Sequence, residues 1–231
     1  MAVTASAAAF AALYPVSVET VWGDITLVQL ERLMDAGRLA MDLETDRLDF
    51  QRKDWHLTGK VRLCSVYAPE LRHVVVVGID PERLPYRLVA LLERSPQVIM
   101  HHAPFDMRMW AAHVGGRIPR ALCTKVLAKE LYPGEDNSLR GVVKRELGLE
   151  LDKDDAVRLS GFLWPLDARQ LHYAVQDVLY LPEVFDRMVR RLNLDQLRRV
   201  CRAWTEMRQA VKKEFFGHLE PVRKVIWREL D

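Results

Sequence analysis

The chain has 231 residues, 49% of them hydrophobic, with 34 Lys and Arg against 32 Asp and Glu and a formal charge of +2. This composition suits an ordinary globular core, long enough for one sizeable α/β domain plus a helical extension. No internal repeat or low-complexity block occurs, and the longest apolar stretches fall short of the ~18 residues expected of a membrane span.

Taken in chain order, Met1 to Leu13 is alanine-rich, but the first basic residue is Arg32, so the segment lacks the charged start of a signal peptide. It is expected as a mobile tail or short helix, with residues 1–19 outside the folded domain. The apolar pattern then predicts a helix near Thr26 to Ala36 and strands near residues 39–45, 61–67 and 72–78. A helix from Leu84 to Glu93, a strand from Gln97 to His101 and a helix from Phe105 to His113 follow, and the remainder reads as mostly helical. This order predicts an α/β fold, a mixed sheet flanked by helices.

The end of the chain is its basic part. Residues 187–231 hold 12 Lys and Arg against 6 Asp and Glu, a balance of +6, which leaves 22 against 26, or −4, for residues 1–186. Leu197, Val200, Trp204, Met207 and Val211 recur at helical spacing between Leu194 and Phe216, so residues 192–231 are expected as a helical extension packed on the domain. Its other face carries Arg198, Arg199, Arg202, Arg208, Lys212 and Lys213. Two readings of that face stand: phosphate contacts along a single strand, or a solvated helix surface. Cys64, Cys123 and Cys201 are far apart without metal-ligand spacing and read as reduced thiols of a cytoplasmic protein.

The residues that packing does not account for are acids in apolar settings. Asp42 and Glu44 sit in Leu39-Ala40-Met41-Asp42-Leu43-Glu44-Thr45; two apart on a strand, their carboxylates leave one face together. Asp106 follows the apolar run Val98-Ile99-Met100, and Pro104 places it early in a helix. Tyr173 and Asp177 are four apart on a helix whose cap is Asp167, so a phenol and an acid share a surface. Four carboxylates brought together repel and neutralise one another unless cations intervene. Oxygen donors of this kind suit Mg²⁺ or Mn²⁺, and paired ions roughly 3.5 to 4 Å apart stabilise the attacking and leaving oxygens of a phosphodiester displacement.

Asp42-Leu43-Glu44, His101 to Asp106 and Tyr173-x-x-x-Asp177 resemble, in that order, the three motifs of the DEDD superfamily of 3′-5′ exonucleases, in its tyrosine-bearing ribonuclease D-like subgroup. Ser138-Leu139, Leu147 to Lys153 and Leu166 to Leu181 extend the likeness, which covers roughly residues 20 to 190. The resemblance implies a ribonuclease H-like fold, with the first strand central, and an exonuclease domain over residues 20–191. It also implies two bound divalent ions, Mg²⁺ or Mn²⁺, held by Asp42, Glu44, Asp106 and Asp177, with Tyr173 hydrogen-bonded to the attacking water. The implied reaction removes nucleoside 5′-monophosphates from 3′ ends of single-stranded nucleic acid, RNA favoured over DNA. His101 and His102 are candidates to line the substrate groove, and Lys153 either contacts a phosphate or pairs with Asp152 or Asp154. A proofreading-type DNA exonuclease acting in trans and a non-catalytic nucleic-acid-binding module are the alternatives. Ser65, His102, Cys123 and the segment Ser160 to Trp164 depart from the usual pattern outside the five central groups.

Overall fold

A computed structural model of the protein describes residues 16–46, 48–152 and 155–217. The segment Met1 to Leu13 lies outside the described residues. β1 (Ser17–Trp22) starts within the stretch expected as tail and pairs in parallel, over its whole length, with β4 (His73–Gly78). That strand was not predicted.

The first helix, α1 (Leu27–Met34), begins where its sequence dictates. Thr26 accepts the backbone N–H of Gln29 while the Gln29 side chain accepts the N–H of Thr26, a reciprocal cap. β2 (Leu39–Asp46) and β3 (Lys60–Ala68) then run antiparallel, and β3 continues antiparallel to β4. Every residue of β4 is buried, as expected for the unbroken apolar run His73-Val74-Val75-Val76-Val77-Gly78 in a sheet covered on both faces.

α2 (Tyr86–Arg94) starts two positions after the predicted Leu84, because Pro85 occupies the cap position and Leu84 is exposed. β5 (Val98–Met100) ends before His101, and α3 (Ala103–His113) takes Pro104 into its first turn. β6 (Ala121–Cys123), also unpredicted, leads directly into α4 (Thr124–Leu131). The helical remainder consists of α5 (Leu139–Leu147), α6 (Asp155–Arg158), α7 (Ala168–Leu179), α8 (Leu181–Arg191) and α9 (Leu194–Phe216).

The result is an α/β fold with a six-stranded mixed sheet in the order β1-β4-β3-β2-β5-β6, β2 lying in its interior. α7 packs across β2, β3 and β4, while α3 lies against β3 and β6 and α8 against β2 and β5. Of the expected extension, residues 218–231 lie outside the described residues; its α9 lies on α3, α4 and β6, burying Val200, Trp204 and Val211. The Trp204 indole donates to the Cys123 carbonyl at 3.1 Å and stacks on Phe185, with centroids 5.9 Å apart. No described helix is long and apolar enough to cross a membrane.

Candidate active site: a carboxylate cluster

Two elements with different periods supply the site. β2 presents Asp42 and Glu44 from one face, and α7 crosses that face with Tyr173 and Asp177 one helical turn apart. Asp167 fixes the start of α7 by capping the N–H of Gln170, whose side chain returns to the Asp167 N–H. The outcome is that oxygens of Asp42, Glu44 and Asp177 all lie within 4.8 Å of one another, although 135 positions separate the first residue from the last.

Asp106 lies against β2, within reach of the charges of Asp42 and Glu44. It is 2% exposed, and its carboxylate accepts the backbone N–H of Leu43, the residue between the two β2 acids. Burial, and then the charges of Asp42 and Glu44, hold its pKa well above the usual carboxylate range. An acid in the first turn of α3 is therefore brought against β2, but it is not one of the three whose oxygens converge.

The donor set fits a hard divalent cation. All the converging atoms are carboxylate oxygens, and their mutual repulsion is of the kind that a dication reverses. They open into a cleft of about 600 Å³, whose walls include Leu48, Phe50, Phe105, Leu163 and the phenol of Tyr173. Such a space admits more than an ion.

Three local features shape this cleft. First, Phe162, buried and left-handed at φ 46°, sets its ring 5.8 Å from that of Tyr173 and backs the phenol. Second, the 160–164 segment is pinned by Trp164, which packs against Trp22 over Gly78. A Cβ on Gly78 would come within 2.5 Å of Trp22 and 2.6 Å of Trp164, so only glycine leaves room for both indoles. Third, the β2–β3 register shifts after Glu44: Glu44 lies opposite Leu63 but Thr45 opposite Val61, so Arg62 is an extra residue in β3. Its guanidinium reaches Asp46 at 2.5 and 2.8 Å, at the edge of the cleft.

The other predicted residues are placed differently. His101 has its ring nitrogens 2.9 Å from the Thr124 hydroxyl and 3.1 Å from the Asn137 carbonyl, neither part of the cleft wall. His102 caps α3 in the left-handed conformation, φ 63°, and its exposed ring stacks on Phe105 at 6.4 Å. Lys153 lies outside the described residues. On α9, Arg198 pairs with Asp195 at 3.0 Å, Arg199 with Glu130 at 2.6 Å, and Arg208 donates to the Ala121 carbonyl at 3.0 Å, so much of that basic face is engaged by the protein itself. Arg62 and Phe50 were not expected at the site, and Phe162 was noted only within the departing segment Ser160 to Trp164. An aromatic inside the polar stretch 47–59 was the available signal for Phe50; nothing local announced the other two.

Comparison with known proteins adds three findings. Residues 25–193 match the 3′-5′ exonuclease family. A ribonuclease D of Sphingobium indicum is 31% identical over 137 residues, which is 50% of this chain and 34% of that protein. The chain spans about a third of the length of the curated relatives it matches. Among solved structures, Brucella melitensis NrnC bound to pGG superposes with a TM-score of 0.74 at 20% identity, covering 87% of this chain and 95% of that one. NrnC with bound Mg²⁺ gives 0.72 at 21% identity, covering 88% and 96%. These two show that the fold is shared.

Proposed function

This chain belongs to the 3′-5′ exonuclease family, and from that premise we propose that its carboxylate cleft shortens single-stranded nucleic acid from the 3′ end, releasing nucleoside 5′-monophosphates. The observation that carries the reading is the convergence of Asp42, Glu44 and Asp177 within 4.8 Å beside Tyr173 in an open cleft. RNA is favoured over DNA because the relatives are ribonucleases D.

Asp42, Glu44 and Asp177 would hold the divalent ions, with Asp106, bound to the Leu43 N–H, completing the set through water. When bound, Mg²⁺ or Mn²⁺ supplies Lewis acidity that makes water nucleophilic near neutral pH and stabilises the departing 3′ oxygen. Tyr173 orients the attacking water by a hydrogen bond rather than acting as a strong base. The backing ring of Phe162 keeps that hydroxyl in one place, which is what positioning requires. Free thiols at Cys64, Cys123 and Cys201 support a reducing, cytoplasmic setting.

The test is digestion of matched RNA and DNA oligonucleotides, labelled at either end, with Mg²⁺, Mn²⁺ or EDTA. Stepwise loss from the 3′ end with either ion and none with EDTA is expected. Absence of cleavage with both ions, or cleavage from the 5′ end, would overturn the proposal.

A further inference from the structure

Outside the carboxylates, the cleft continues into a run of aromatic rings that the chemistry above does not use. Phe50 and Phe105 form part of its wall, and Trp55 lies between them in contact with both. Trp55 and Phe105 are parallel with centroids 5.2 Å apart; Phe50 lies 5.6 Å from Trp55 and 6.4 Å from Phe105. His102 stacks on Phe105 in turn, with centroids 6.4 Å apart. These rings come from two unrelated segments, the β2–β3 connection and the start of α3.

Phe50 is 66% exposed, so one face of its ring is open to the cleft whose wall it forms. At the other end, His102 sits among cations. Partial burial, and then the charges of Lys125, Lys129 and Arg108, hold its pKa below the ordinary histidine value. Arg108 is committed to Glu214 at 3.0 Å and to the Pro104 carbonyl at 3.2 Å. Lys125 and Lys129 are four apart on α4 and so share a face. A cluster of rings that starts in the cleft, with Phe50 tilted against the stacked pair Trp55 and Phe105, and reaches through His102 the charges of Lys125 and Lys129 has the two parts of a single-strand path: flat surfaces for bases and charges for phosphates.

We propose that the rings from Phe50 to His102 carry the nucleotides upstream of the scissile bond, the open face of Phe50 stacking on a base and Lys125 and Lys129 meeting phosphates further along. The inference rests on the reading that the carboxylates receive a strand end. It extends that reading from the terminal nucleotide to the strand behind it. Because every base has a flat face, the path tolerates any sequence, and its ligand class is single-stranded oligonucleotide long enough to reach α4.

The test is fluorescence anisotropy with a labelled single-stranded RNA octamer in EDTA, where hydrolysis is absent, comparing the parent with Phe50→Ala and with Lys125→Ala/Lys129→Ala. Loss of one base–aromatic stack should weaken Phe50→Ala at least about fivefold with an unchanged salt slope. The double lysine variant should bind more weakly and lose about 1.4 from the slope of log K against log salt, roughly 0.7 per phosphate contact on a single strand. Phe50 is exposed enough that its truncation should leave the melting temperature near that of the parent. Parental affinity in either variant, or no binding by the parent, overturns the proposal. The two readings fail separately: a parent that binds in EDTA but cleaves with neither Mg²⁺ nor Mn²⁺ counts against the hydrolytic one, and cleavage combined with parental affinity in Phe50→Ala counts against the path alone.

Discussion

Among the described residues, the buried acids Glu146 and Asp106 are treated in opposite ways. Glu146, on α5, accepts the hydroxyl of Tyr132 in a short hydrogen bond and pairs with Arg191 at 3.1 Å. Both Arg145 and Arg191 lie over the Tyr132 ring, at 4.4 and 5.3 Å. Asp106 is as deeply buried, but the side chains whose charges it feels are Asp42 and Glu44. In one region sequence supplies counter-charges with the acid, and the arrangement serves stability. In the other it sets acid against acid, an arrangement that makes sense only if cations from solution complete it.

The sharpest way to break this contrast is Asp42→Asn. It should leave the fold intact by circular dichroism and lower oligonucleotide cleavage by at least about 10²-fold, the scale of removing one preorganised charge contact. Asp177→Asn should behave alike, and retained cleavage in either variant refutes the assignment. Tyr173→Phe removes a hydrogen bond without removing an ion ligand, so a loss of roughly tenfold in kcat is expected. Full activity there would exclude the phenol from positioning water.

Tyr132→Phe tests the other region. It leaves a buried carboxylate short of a donor and should cost about 1–3 kcal/mol, with roughly 2–4 °C of melting temperature for each kcal/mol in a chain of this size, while cleavage continues. Burial and Glu146 push the Tyr132 pKa up to about 12, so the phenol keeps its proton, and this bond persists, throughout the neutral range.

The smallest effect separates the two kinds of burial directly. Because the raised pKa of Asp106 disfavours its charged form in the fold, the ion-free protein should lose stability as pH rises from the ordinary carboxylate range through that raised value. Asp106→Asn should remove this dependence, stabilise the ion-free fold near neutral pH in EDTA, and reduce the stabilisation that Mn²⁺ gives. Thermal melts across pH, with and without the ion, check both signs.

Much of the site was legible because it rests on short periods. The spacing of two on β2 and of four on α7 placed two pairs of side chains, and Asp167 and Thr26 marked helix starts through chemistry that operates within four residues. What was not legible depends on distance. β1 has strand-like alternation, but the partner that makes it a strand, β4, lies more than fifty residues away. β6 has three residues, too few to display a period. Sequence put Asp106 in a first turn but could not say that α3 would bring it against β2, within reach of the Leu43 N–H and the Asp42 charge. The left-handed turn at His102, which carries its ring onto Phe105, is likewise a product of packing between segments.

The extra residue Arg62 has a further consequence. On β2, Asp46 is in phase with Asp42 and Glu44 and would continue their row of acids. One inserted backbone unit on the neighbouring strand places a guanidinium on that third acid, so the row has a defined end and its negative potential is capped. Deleting that single residue would lengthen the anionic strip and blur where a cation prefers to sit, which makes an irregularity of pairing, rather than any ligand, the boundary marker of the pocket.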